Sequence, residues 1–396
     1  MSEKRATADP LGSLADPLGG FPGESAASGR APGRAAGRSR AGDDPAAPDP
    51  SNLACPAPIP ERARVLLGHG SGGQLSAALM RDVIGPALAS ASAGGPLNDA
   101  AVVDVAGTRL AFTTDSFVVS PLVFPGGDIG ELAVNGTVND LAMMGAQPLA
   151  LSLAYVIEEG LPIEELRLVT ESVARAAVRA GVRVVTGDTK VVGRGAADGL
   201  FVNTAGIGLV SAGVAVAADR AVAGDAVGLS GSIGLHGIAI MSVREGLSFE
   251  VEIASDTQPL NALVAAIVAA CPDVRVLRDP TRGGLASALN EIAAASGVGI
   301  ELREETIPIP GPVRAACEML GLDPLHVANE GKLVAIVPAA SVEAVLAAMR
   351  TIPEGADAVE IGRAVADHPG MVTMRTIVGS QRIVDMLVGE QLPRIC

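Results

Sequence analysis

Apolar and polar positions along the chain follow two alternating rhythms. Short apolar runs at 109–114, 149–156, 182–186 and 201–210 are bounded by Gly, Asp and Asn and read as strands. Between them, 129–144 and 163–180 carry apolar residues at helical spacing. In the second of these the stripe is Leu166, Val169, Val173, Ala177 and Ala180. The chain up to about residue 220 is therefore a first α/β region. A second spans about 221–368. It begins with a strand at 226–230, the turn Gly231-Ser232-Ile233-Gly234 and a helix running to about Arg244. A helix at 285–295, strands at 298–302 and 332–337, a helix at 342–349 and a strand at 358–361 complete it. From Gly370 a short strand-like run leads into a tail that ends at Cys396. Residues 1–62 show no apolar periodicity and are rich in Ala, Gly, Pro, Ser, Asp and Arg, the composition of a disordered extension. The expected divisions are 1–62, 63–220, 221–369 and 370–396.

Composition narrows the classes. A chain of 396 residues that is 48% hydrophobic can build two or more cores. With aromatics at 2%, those cores are Ala, Val, Leu and Ile, and base-stacking surfaces are excluded. A net charge of −15 argues against tracking a nucleic-acid backbone. Four cysteines, Cys55, Cys271, Cys317 and Cys396, fit no CxxC metal site and no dense disulfide framework, which points to a reducing, cytoplasmic setting. There is no apolar run of about 18 residues and no apolar stretch after the basic N-terminal residues, so neither a membrane span nor a signal peptide is expected.

Several places could carry chemistry. Gly68-His69-Gly70-Ser71-Gly72-Gly73 could turn backbone N–H groups toward an anion, or be an ordinary turn. It matches GxGxxG, but no strand precedes it, so a dinucleotide fold is rejected; a Walker A sequence is absent. Asp99, Asp115, Asp140 and Asp188 stand at the ends of apolar runs or on a helix. Each alone could be a cap or turn residue, but convergent carboxylates suit Mg²⁺. Arg278-Asp279-Pro280-Thr281-Arg282-Gly283-Gly284 precedes a helix and could hold phosphate oxygens. Glu330 in Asn329-Glu330-Gly331-Lys332 is a general base or a partner for lysine. Cys396 is a free thiol on a loose end or a nucleophile on a flexible arm. Its α-carboxylate should raise the thiol pKa and Arg394 should oppose the rise.

Taken in order, GHGSGG, TTDSFVVSPLVFPGGDIGELAVNGTVNDLAMMGA, VTGDTKVV, DPTRGG, ANEGKLV and the terminal PRIC resemble the HypE family of hydrogenase maturation factors, from about residue 65 to the end. PRIC sets that family apart from its relatives in the PurM/AIR synthase-like superfamily. The resemblance implies an α+β fold of two domains with a flexible C-terminal tail, and a homodimer whose first domains pool strands into a barrel. It implies a carbamoyl dehydratase. A HypF carbamoyltransferase loads Cys396, ATP with Mg²⁺ activates the carbamoyl oxygen, and the resulting thiocyanate supplies cyanide to a HypC–HypD complex for the iron of [NiFe]-hydrogenase. By motif match, Asp99, Asp115 and Asp188 are implied as metal ligands. Asn139, Asp140, Gly187, Thr189 and Arg282 join them around the nucleotide. Glu330 is favoured as the base, ionised without any pKa shift, with Lys190 as a charge partner. The chain departs from the family in its long extension and in Asn98, where the superfamily often has a second acid. A related small-molecule enzyme needs no Cys396, and a non-catalytic scaffold would leave ATP intact. From Gly379 the extended arm would span at most roughly 60 Å, and Pro393 favours its extended insertion.

Overall fold

The computed structural model describes residues 64–92, 94, 97–247, 249, 251–389, 392 and 394–396. The 1–62 extension with Cys55, and Pro393, lie outside the described residues. Two short helices, α1 (Gln74–Leu79) and α2 (Gly85–Leu88), precede the first sheet. That sheet contains β1 (Ala101–Val105) and β2 (Thr108–Phe117). A small hairpin of β3 (Val123–Phe124) and β4 (Gly127–Asp128) leads into α3 (Ile129–Met143). Then come β5 (Ala146–Glu158), α4 (Ile163–Ala180), β6 (Arg183–Val192) and β7 (Leu200–Val210). The strand order is β1-β2-β7-β5-β6, antiparallel except for the β5–β6 pair.

Helix α3 starts where the Asp128 carboxylate accepts from the N–H groups of Gly130 (2.7 Å) and Glu131 (3.0 Å). It is buried on nearly every side, as a helix apolar all round must be. It lies across β2, β7 and β5, with α4 alongside. A Cβ at Gly206 would meet Leu141, Leu151 and Thr137 at 2.8–2.9 Å, so glycine there lets helix and sheet approach closely. The opposite face of the sheet is bare. Val103, Val105, Phe112, Leu149, Ile207 and Leu209 are all exposed on it. The edge strand β6 is also exposed along its length, Val185 and Val191 included.

The second sheet has the order β14-β13-β10-β12-β8-β11-β9. In chain order its elements are β8 (Ala226–Leu229), α5 (Leu235–Arg244), α6 (Asn261–Ala270), β9 (Val276–Arg278), α7 (Gly284–Ser296), β10 (Gly299–Arg303), α8 (Gly311–Leu320), β11 (Val334–Val337), α9 (Val342–Met349), β12 (Val359–Val365), β13 (Val372–Arg375) and β14 (Gln381–Val384). β11 is buried on both faces. Val334 and Ile336 meet α7, while Ala335 and Val337 meet α6 and α9. This second layer also contains Leu141, Ala142 and Met143 of α3, so the two sheets share one core.

Helices α6 and α8 and strand β9 have no counterpart among the elements expected from the pattern. α6, Asn-Ala-Leu-Val-Ala-Ala-Ile-Val-Ala-Ala, is apolar nearly throughout and has no polar face to reveal its period. A second difference concerns the tail. Residues 372–375 and 381–384 pair as strands of the second sheet, so the arm begins after Val384 rather than near Gly370 or Gly379. Its extended reach is then roughly 40 Å.

The loop before β11 is held against the chain before α6. A Cβ on Gly331 would lie 1.8 Å from the Asp256 carbonyl oxygen, whereas a Cβ on Gly311 would meet nothing within 4 Å. Gly331→Ala should therefore destabilise the protein by roughly 1–3 kcal/mol, the cost of forcing atoms into a packed site. Gly311→Ala should leave the thermal midpoint unchanged or raise it. Equal midpoints for the two variants in a melting experiment would show that the loop is free to move.

Candidate active site

Where β2 and α3 meet the 278–282 loop, a cavity of about 220 Å³ opens. It is lined by Asp99, Thr113, Thr114, Asp115, Gly136, Asp140, Arg278, Asp279, Thr281, Arg282, Glu330 and Cys396. Each wall has a local cause. Asp99 precedes β1, Asp115 sits on β2, and Asp140 projects from α3 and accepts from the Thr113 hydroxyl at 2.9 Å. The Arg278 guanidinium lies 2.8 Å from Asp99 and also binds Glu291, which fixes the 278–284 turn. Asn329 clamps the Glu330 loop: it accepts from Gly234 N–H at 2.7 Å and donates to the Pro280 carbonyl at 2.9 Å.

The carboxyl groups outnumber the cations, and burial makes this costly. Burial pushes Asp99 up to about 8 against the pull of Arg278, and Asp279 up to about 6 against the same guanidinium. Asp140 is raised well above the usual range by burial, then by Asp279, Asp99 and Asp115. Burial also raises Asp115, with Arg282 opposing. Carboxylate oxygens of Asp99, Asp140 and Asp279 all lie within 4.8 Å of one another. A hard divalent cation prefers oxygen ligands of this kind and relieves this repulsion, so the cluster fits Mg²⁺.

The sequence-derived set is divided by the structure. Asp99, Asp115, Asp140, Arg282, Glu330 and Cys396 come together. Gly187, Asp188 and Thr189 instead line an open groove on β6 with Tyr155 and Leu153. There Asp188 bonds Lys190 at 2.7 Å, and that bond lowers its pKa. The expected metal triad of Asp99, Asp115 and Asp188 is thus not assembled within one chain, because β6 is the far edge of the sheet. Asp140 and Asp279 stand beside Asp99 in place of Asp115 and Asp188, and only its position in the turn before α7 distinguishes Asp279 in the sequence. Asn139 does not face the cavity either. Its amide accepts from Leu260 N–H at 2.8 Å and donates to the Gln258 carbonyl at 3.1 Å, tying α3 to the second sheet's chain.

Two electronic expectations are also corrected. Glu330 is not an acid of ordinary pKa. Burial, then Asp279, Asp115 and Asp256, raises it well above the usual range, and its Oε1 has no hydrogen-bond partner. The Cys396 thiol is raised mainly by burial, and the cation opposing the rise is Arg282. Arg394 is engaged elsewhere: it pairs with Asp198, donates to the Val118 carbonyl at 3.1 Å and faces the Phe201 ring. Among the described residues Cys271, Cys317 and Cys396 are free thiols.

The tail reaches this cavity along a built path. Gln74 N–H donates to the Leu387 carbonyl at 2.8 Å, and a Cβ on Gly73 would lie 2.4 Å from that oxygen. Gly72, at φ +77°, lies against the Arg282 backbone. The glycine loop thus gives the tail and Arg282 close access. His69 accepts from Leu66 N–H at 3.0 Å and caps its own turn. Val118 N–H donates to a Cys396 oxygen at 3.0 Å. Arg394, at φ +52°, turns the chain so that Ile395 is buried. Burying that side chain stabilises the docked tail by roughly 2 kcal/mol.

A mixed two-sheet fold closed around an acidic cavity defines the class, and the comparisons agree. The AIR synthase related protein N-terminal domain matches residues 97–210 and the C-terminal domain matches 222–374. Carbamoyl dehydratase HypE of Azotobacter vinelandii is 54% identical over 83% of this chain and 96% of that protein. Its counterpart in Bradyrhizobium diazoefficiens is 56% identical over 83% and 95%. Among solved structures, hydrogenase maturation protein HypE in complex with ATP superposes with a TM-score of 0.71 at 46% identity, over 84% of this chain and all of that one. HypE in a HypE–HypF complex superposes at 0.73 and 47% identity, over 77% and 100%. The chain belongs to the HypE family of AIR synthase related proteins. Among the described residues no helix is long and apolar enough to cross a membrane.

The acidic cluster sets a pH dependence. Unfolded aspartates ionise near pH 4, whereas Asp279 and Asp99 hold their protons to about 6 and about 8. Between those values the folded state keeps protons that the unfolded state has lost, so stability should fall as pH rises through this window. Mg²⁺ bound at the cluster would replace those protons. The rise in melting temperature on adding Mg²⁺ should therefore grow from pH 5.5 to 8.5, and Asp140→Asn should shrink it. A Mg²⁺ effect independent of pH and of Asp140 would remove the metal from this cluster.

Proposed function

We propose that the protein converts a carbamoyl group carried on its own Cys396 into a nitrile at the expense of ATP. One observation carries the reading: Cys396 lies in the same cavity as Glu330, Arg282 and the aspartate cluster. An amide-type oxygen is a poor leaving group, and phosphoryl transfer makes it a good one. The carbamoyl oxygen on sulfur attacks the γ-phosphate of ATP and ADP leaves. The two N–H protons are then lost as phosphate departs, giving Cys–S–C≡N. The chain's own groups supply position and charge. Arg282 faces the sulfur and the transferring oxygens, and Thr113 and Thr114 flank them. Asp99, Asp140 and Asp279 would hold Mg²⁺, which neutralises charge on a phosphoryl group in transfer. A pKa raised by burial makes Glu330, once ionised, a stronger base than a surface glutamate, and this suits removal of an N–H proton.

Loading belongs to a different tail position. The docked thiol is only partly exposed and its pKa is raised, so it is a poor nucleophile where it lies. An outward tail would meet a HypF-type carbamoyltransferase, and later a HypC–HypD-type acceptor of cyanide for a [NiFe]-hydrogenase, in the cytoplasm. The bare face of the first sheet and the exposed β6 edge fit a homodimer built from two first sheets, which could carry Asp188 and Lys190 toward a partner's cavity.

Intact-mass spectrometry after incubation with HypF, carbamoyl phosphate and ATP tests the reaction. A carbamoyl adduct should become a cyano adduct only with ATP, and Cys396→Ala should show neither. Glu330→Gln should accumulate the carbamoyl form, with dehydration slowed about 100-fold or more. Dehydration at the normal rate in that variant would sink the assignment of the base. Val185→Arg, on the β6 edge, should yield monomers in sedimentation velocity. If the unmodified protein is itself a monomer, the dimer reading fails.

A further inference from the structure

The tail is held in the cavity by two side chains that take no part in the chemistry. His236 on α5 is fully buried. Its Nε2 lies 2.8 Å from the Ile395 carbonyl and its Nδ1 2.8 Å from the Ser255 hydroxyl. A carbonyl only accepts, so Nε2 carries the proton and the neutral ring accepts from Ser255 at Nδ1. The Phe124 ring meets the imidazole edge-on at 5.6 Å between centroids and fixes its plane. Arg244, at the end of α5, donates to the Ser120 carbonyl at 2.8 Å and to the Arg394 carbonyl at 2.6 Å. Successive tail carbonyls, at 394 and 395, are thus each gripped from one helix.

Both grips exist only while the tail is docked. When it leaves, the His236 N–H loses the Ile395 carbonyl, and the net contribution of that hydrogen bond to docking is lost. Arg244 keeps Ser120 but loses a charge-assisted bond to Arg394. Docking leaves Cys396 only partly exposed on the cavity wall and raises its thiol pKa, so modification of its sulfur is favoured in the undocked fraction.

We propose that His236 and Arg244 are positioning residues that set the balance between docked and undocked Cys396. Loosening either one speeds modification of the thiol and slows chemistry that requires it inside. The second half of that statement rests on the function proposed above; the first does not.

The test is alkylation of Cys396 by iodoacetamide in the full chain, without ATP or partner protein. Cys396→Ser serves as the blank for the other cysteines. His236→Asn places an amide near Nδ1 but cannot reach Ile395, whereas His236→Gln puts an amide nitrogen near Nε2. We expect His236→Asn and Arg244→Met to be alkylated at Cys396 about fivefold faster than the unmodified protein, the effect of one hydrogen bond. His236→Gln should stay close to the unmodified rate. This rescue separates a grip on Ile395 from a general loosening of the core. If His236→Asn melts much earlier than the parent, Arg244→Met decides the matter alone. Unchanged alkylation in a folded Arg244→Met protein overturns the proposal. The dependent half is read by single-turnover dehydration of carbamoylated protein, which should slow in the variants that alkylate faster. Faster alkylation with no dehydration even in the unmodified protein would uphold the latch and remove the proposed function.

Discussion

Five carboxyl groups and two guanidinium groups share the cavity, and this imbalance governs the rest of the structure. Five ionised acids in a space of about 220 Å³ would repel one another strongly at low dielectric. The fold tolerates them by keeping protons on several and by spending Arg278 on Asp99 and Glu291. Such a site is poised to exchange protons for cations. It is a poor structural core, and its carboxylates suit a hard divalent cation. The two sheets share apolar core beside it, so the polar walls are held by packing rather than by their own attractions.

On the proposed function, the tail makes the protein a carrier of its own substrate. Ile395 supplies apolar anchorage, Val118 and Ser120 supply backbone pairing, and Arg394 closes the turn against Asp198. None of these contacts involves the sulfur, so a group carried on it would not alter what holds the tail. The glycines at 72 and 73 serve the same end by letting the tail and the Arg282 loop approach to contact distance. A loop that reads as a phosphate cradle is here a seat for the chain itself.

The first sheet presents a different arrangement on each face. One face is sealed by α3, and the other leaves Phe112, Ile207 and Leu209 in water. Among the described residues this apolar face and the β6 edge are unpartnered, the pattern expected of an association surface. Asp188 and Lys190 sit on that edge strand and pair with each other, away from the cavity of their own chain. Their place in the reaction, if any, is therefore a question of assembly.

Much of the fold was legible in the sequence, because most elements cover one face and keep a period. α4 and α9 run over the very residues their apolar spacing suggests, Ile163–Ala180 and Val342–Met349. Six of the residues singled out in the sequence line the cavity together: Asp99, Asp115, Asp140, Arg282, Glu330 and Cys396. Elements covered on several sides, such as α6, have no polar face and so no readable period. Tertiary structure alone decided that Asp279 joins the aspartates, that Asn139 is spent on backbone, and that Asp188 stands apart. It also decided the upward pKa shifts of Glu330 and Cys396, because burial and the summed charge of neighbours from distant segments set a pKa. Sequence determines which groups are present and where the chain turns; only the packed fold determines which of them share one low-dielectric space.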